Sequence, residues 1–141
     1  MSAVPESIVY TAKSHVTGGR DGHGKTDDGA LEVDLRAPKE MGGAGGGTNP
    51  EQLFAVGYGA CFQGALGLAA KETGADVSKS VVELEVGLGK EGESFGLSVK
   101  IKVSVPGMDT DQVQKLADRT HELCPYSKAT RGNIPVEVVA V

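Results

Sequence analysis

The chain has 141 residues, 39% hydrophobic and 23% charged, enough for one domain with a buried core. Three Phe, three Tyr and no Trp make it poor in aromatics, and its 21 glycines fall in clusters without a collagen-like period. A net charge of −5, with basic residues scattered among acidic ones, argues against nucleic acid or an anionic membrane surface as a partner.

Met1–Ser7 has neither a basic nor an apolar signal region, so no secretory leader is expected. The apolar runs read as too short or too glycine-broken to span a bilayer. The expected compartment is the cytoplasm, where reducing systems keep thiols free and a structural disulfide is unexpected. Cys61 and Cys124 are therefore either inert core residues or chemistry. No internal repeat or linker divides residues 1–141, which read as a single domain.

Ile8–Val16 is rich in β-branched and aromatic residues and reads as a first strand, followed by the turn Gly18-Gly19-Arg20-Asp21-Gly22. Ala30–Leu35 reads as a strand with Leu31, Val33 and Leu35 on one face. Ala37–Gly47 is a glycine-dense loop, expected to be mobile or closely approached by other backbone. Thr48-x-x-Glu51 fits a capping box, and Asn49-Pro50 alternatively places Asn at the cap and Pro at the first helical position.

From Glu51 to Thr73 the chain is uncharged until Lys71, which predicts a buried central helix. Gly57, Ala60, Cys61, Gly64, Ala65 and Leu68 share one stripe of it, leaving room beside the Cys61 sulfur. Val82, Leu84, Val86 and Leu88, then Phe95 to Val105, alternate with polar residues as two strands of a hairpin turning near Gly89–Gly92. A second helix starts near Asp109 or Thr110 and buries Val113, Leu116, Ala117, Leu123 and Cys124. Pro125 breaks or restarts it, and Val136–Val141 is a final strand. The order βββ-α-ββ-α-β is α+β.

Taken singly, the chemistry-bearing residues each have an ordinary explanation. A cysteine among Gly, Ala and Leu is commonly a small core hydrophobe, and burial raises its pKa. A reactive Cys61 thus needs a cation or hydrogen-bond donors brought to it. Arg20 is the candidate, on a glycine turn able to aim a guanidinium inward, with Arg36, Arg119 and Arg131 as competitors. Glu51 reads equally as a helix-start carboxylate or as the acceptor that fixes an arginine fork. Glu51 and Cys61 lie about 15 Å apart along a helix axis, too far for direct contact. Cys124 precedes Pro125, which places its sulfur at a helix start, a setting that lowers a thiol pKa. Neither the cysteine spacing nor His15, His23 and His121 makes a CxxC or metal-ligand pattern.

Together these segments resemble the organic hydroperoxide resistance branch of the Ohr/OsmC family over nearly the whole chain. Tyr10–Gly24, Thr48–Phe62 and Cys124–Val138 carry the most specific likeness. The resemblance implies an Ohr/OsmC-like fold, forming an intertwined homodimer with two sites at its interface. It implies that Cys61 is the nucleophile toward peroxide, that Arg20 and Glu51 stabilise its thiolate, and that Cys124 forms a disulfide with it. The implied substrates are organic hydroperoxides, including fatty-acid hydroperoxides. No bound cofactor is expected; the implied reductant is a dithiol, notably the lipoyl group of a lipoylated protein. Met41, Leu53, Phe54 and Tyr126, close to the motifs, are expected to line an apolar pocket. The rival readings are an OsmC-type peroxidase of different substrate range and a redox sensor without turnover.

Overall fold

The computed structural model describes Val4–Val141 and divides into two compact units, one up to Pro50 and one from Glu51. The first is a three-stranded antiparallel meander of β1 (Ser14–Thr17), β2 (His23–Thr26) and β3 (Glu32–Asp34). Thr17 pairs with His23, and His23 with Asp34. The expected first strand is therefore shorter than Ile8–Val16. Ile8, Val9 and Tyr10 are exposed and join no ladder among the described residues, so β-propensity there meets no strand to pair with. The expected strand at Ala30–Leu35 is likewise shortened, and Leu31 is exposed while Leu35 is buried.

Between β1 and β2 the chain makes one turn of 3-10 helix, Gly19–Asp21, entered through Gly18 at φ 77°. A side chain at Gly22 would collide with the Thr17 carbonyl, so the turn closes only with glycine there. The Gly22 carbonyl accepts from Leu35 N at 2.8 Å, fastening the turn to the end of β3. The glycine-dense loop is folded back on itself: Lys39–Met41 is a 3-10 turn, and Gly43 approaches Ala37 too closely to carry a side chain.

The second unit is built on α1 (Pro50–Thr73), which begins at the proline. β4 (Val81–Glu91) and β5 (Ser94–Ser104) form a hairpin with Glu91 opposite Ser94. Its two-residue turn begins at Gly92, φ 57°, slightly beyond the expected position. α2 (Thr110–Leu123) is capped by Asp109, whose carboxylate accepts from Asp111 N at 3.3 Å. A short third helix, α3 (Pro125–Thr130), restarts the chain at Pro125, and β6 (Val136–Ala140) returns parallel to β5. The sheet order is β4-β5-β6.

Tyr58, Phe62, Leu66 and Ala69 of α1 pack with Val99, Ile101 and Val103 of β5, Val113 and Ala117 of α2, and Cys124. Each large apolar side chain buried there stabilises the unit by about 1.5–3 kcal/mol. The buried face of α1 is this aromatic one. The small-residue stripe lies on the other side of the helix for the most part, with Ala60, Gly64 and Leu68 exposed in this chain. The length reading of the sequence also needs correcting: α1 is long and apolar enough to cross a membrane by composition alone. What speaks against insertion is its packing, with Tyr58, Phe62 and Leu66 spent on a core shared with two other elements.

Candidate functional site

Cys61 and Cys124, far apart in sequence, meet. The Cys124 thiol points at the Cys61 sulfur, with Sγ–Sγ 3.6 Å, and both cysteines are free. A disulfide needs about 2.0 Å, so the two sulfurs are in contact without being bonded. Cys61 is half-buried on α1, whereas Cys124 is fully buried. Cys124 occupies the single residue that both ends α2 and caps α3, with Pro125 at the first helical position. That proline cannot continue α2, so the chain turns there and swings the sulfur toward α1.

Burial pushes the Cys61 thiol above its ordinary value of 9.0. A hydrogen bond from the Tyr126 backbone N–H opposes this, while the adjoining Cys124 thiol adds to the rise. These influences disfavour the Cys61 thiolate, and a neighbouring positive charge would favour it.

The three arginines weighed as competitors each have partners of their own. Arg36 donates through Nη1 to the carbonyls of Gly22 (3.0 Å) and Leu35 (2.6 Å). Arg119 forks onto Glu72 at 2.9 and 3.0 Å, and Arg131 donates to the His121 carbonyl at 2.6 Å. Arg20 lies half-buried on the 3-10 turn of the first unit, and Glu51 half-buried in the first turn of α1. Met41 is exposed at the end of the 3-10 turn in the glycine loop.

Phe54 and Tyr126 stack at 6.1 Å, and both lie against Tyr58, at 5.6 and 5.7 Å between ring centres. Tyr126 reaches across α1 over Gly57, where a side chain would touch its hydroxyl. Leu53 is half-buried on the same helix. An aromatic wall thus adjoins the cysteine pair, one turn before Cys61.

The sequence reading missed what lies beneath this wall. The Tyr58 hydroxyl is buried within 2.8 Å of Ser127 Oγ and 3.1 Å of Thr130 Oγ1, and Ser127 Oγ lies 2.7 Å from His121 Nδ1. Burial lowers the His121 pKa, with Arg131 acting in the same direction. The only signal was the hydroxyl of Tyr58, placed among apolar residues on a helix predicted to be buried. Among the described residues no cluster of three His, Cys, Asp or Glu could hold a metal ion.

The OsmC-like protein family matches the chain over residues 43–139. The chain belongs to the OsmC family. An organic hydroperoxide resistance protein of Xanthomonas axonopodis pv. citri is 48% identical over 136 residues, covering 95% of this chain and 96% of that one. The crystal structure of the organic hydroperoxide resistance protein OhrB of Bacillus subtilis superposes with a TM-score of 0.87 at 43% identity, over 95% of this chain and 100% of that one. An organic hydroperoxide resistance protein from Legionella pneumophila gives 0.89 at 39% identity, over 95% and 98%. These relatives fall in the Ohr branch, so membership accords with the mixed α+β order and with the motifs that flank both cysteines.

Proposed function

We propose that the chain is a cysteine-based peroxidase that reduces organic hydroperoxides, including fatty-acid hydroperoxides, to alcohols and so protects against oxidative stress. The observation that carries the reading is the 3.6 Å contact between Cys61 and Cys124 in a chain of this family. Relatives named for organic hydroperoxide resistance, at 44–48% identity, support the substrate class.

The Cys61 thiolate attacks the distal peroxide oxygen and the O–O bond breaks, leaving a Cys61 sulfenic acid and an alkoxide that takes a proton to become the alcohol. The Cys124 sulfur then attacks the sulfenic sulfur. Its proton leaves with the hydroxyl as water, and a Cys61–Cys124 disulfide remains. A dithiol, of the lipoyl type carried by lipoylated proteins, reduces that disulfide and is itself oxidised to a cyclic disulfide. The contact distance supports the second step, because the attacking thiol is already beside its target.

The raised Cys61 pKa makes the first step depend on a cation, and Arg20, oriented by Glu51, is the proposed one. Phe54 and Tyr126, with Leu53 and Met41, are the proposed apolar lining for the organic group. We further infer one Ohr/OsmC domain over the whole chain, a cytoplasmic setting and an intertwined homodimer. The exposed face of α1 supports the dimer, since Ala60 and Gly64 allow close approach of a second copy and Leu68 offers it an exposed apolar side chain.

Purified protein supplied with dihydrolipoamide should consume tert-butyl or cumene hydroperoxide catalytically, and much faster than hydrogen peroxide. No turnover with any of them would reduce the cysteine pair to a sensor, and equal turnover would favour the OsmC-type branch.

A further inference from the structure

The hydroxyls of Thr130, Tyr58 and Ser127 and the ring of His121 form one chain that links α1, α2 and α3 behind the cysteines. Tyr58 can donate to Ser127 (2.8 Å) and Ser127 to Nδ1 of a neutral His121 (2.7 Å), while the Thr130 hydroxyl, 3.1 Å from that of Tyr58, also donates to the Ser127 carbonyl at 3.3 Å. Tyr58, Ser127 and Thr130 are buried, so these groups have little water to fall back on.

The placement is specific. Tyr58 stands one turn before Cys61 on α1. Ser127 stands one turn after Cys124 on α3 and directly follows Tyr126, the residue whose N–H reaches the Cys61 sulfur. The Tyr58–Ser127 bond therefore joins the turn carrying one cysteine to the turn carrying the other. His121, near the end of α2, holds Ser127 from the far side, and Arg131 Nη1 grips the His121 carbonyl at 2.6 Å. The thiol contact and the Tyr126 N–H join the same two turns beside the Tyr58–Ser127 bond.

We infer that Tyr58, Ser127 and His121 are positioning residues for disulfide closure, holding the Cys124–Tyr126 corner against Cys61 so that the resolving thiol meets the sulfenic sulfur without a search. This rests on the two-cysteine reading above. The relay touches no peroxide and so acts on closure alone. Loss of a neutral hydrogen bond leaves a buried hydroxyl short of a partner and loosens the corner, which slows closure about tenfold.

The test separates the two steps by stopped flow. Reduced protein is mixed with one equivalent of cumene hydroperoxide; sulfenic acid formation is followed as loss of the first thiol and identified with dimedone in a parallel sample, and closure is followed without dimedone as loss of the second thiol. Tyr58→Phe keeps the ring and removes only the hydroxyl, Ser127→Ala removes the centre of the relay, and Ser127→Thr restores a hydroxyl. The expected result is sulfenic acid formation within twofold of wild type in all three. Closure slows about tenfold in Tyr58→Phe and Ser127→Ala and recovers in Ser127→Thr. Equal closure rates in wild type and Tyr58→Phe overturn the inference, as does a common fall in both steps. If wild type itself traps sulfenic acid but never closes to the disulfide, it is the two-cysteine reading that fails. Should Ser127→Ala not fold, Tyr58→Phe and His121→Gln decide the matter alone.

Discussion

At the Cys61–Cys124 corner burial dominates the electrostatics, whereas at His23 on the N-terminal sheet charge pairing does. His23 sits in open solvent between Asp34 (Nδ1–Oδ1 3.0 Å) and Glu32 (Nε2–Oε2 2.9 Å), and hydrogen bonds to Asp34 and then Glu32 raise its pKa. Its charge is favoured by its own unit. The Cys61 thiolate is not: burial raises that pKa, and the Tyr126 N–H only partly offsets it. Ionisation is favoured by its surroundings at the exposed site and opposed by burial at the interior one. An enzyme reading of Cys61 therefore stands or falls on imported charge, which is a stronger condition than the mere proximity of two sulfurs.

Four substitutions probe the contrast. Cys61→Ser should lower hydroperoxide turnover roughly 10³-fold or more with folding intact by circular dichroism, because the thiol that remains, Cys124, is fully buried. Phe62→Ala, at the packed centre beneath the same helix, should cost about 3–5 kcal/mol by denaturant unfolding. A cost below 1 kcal/mol would mean that the interior side of the comparison is far looser than its burial implies.

Arg20→Ala should slow peroxide reduction about 10- to 100-fold at pH 7. The deficit should shrink as the pH rises toward the thiol pKa, where Cys61 ionises without help, and a pH–rate profile checks both points. His23→Gln should have the smallest effect. The folded His23 pKa lies above the ordinary 6.5, so its contribution is complete below that value and lost as the pH rises through the folded pKa. Melting temperatures across pH 5.5–8.5 should fall less steeply in the variant, with activity unchanged.

Legibility followed the range of the interactions involved. The β4–β5 hairpin could be read because its alternation and turn are local, and α2 because its apolar positions repeat at helical spacing. Ile8–Tyr10 misled because β-propensity describes a side chain's fit to a sheet and not the presence of a neighbouring strand. The uncharged stretch of α1 gave a helix but not which face is buried, since composition nearly uniform around the axis carries no direction. That β6 runs parallel to β5 is a matter of topology, invisible in either strand. At the site, the identity of the two cysteines was plain in the sequence, while their contact came only with the turn at Pro125. The Tyr58–Ser127–His121 relay was illegible because its members are ordinary residues whose meaning lies in long-range contact.

The dependence of Cys61 on Arg20 is tested most directly by titrating the Cys61 thiolate through its absorbance near 240 nm, in reduced protein carrying Cys124→Ser to leave one thiol. With Arg20 present the pKa should fall well below the ordinary value of 9.0, and with Arg20→Ala added it should return to that value or above. Identical titrations above 9.0 with and without Arg20 would contradict the account.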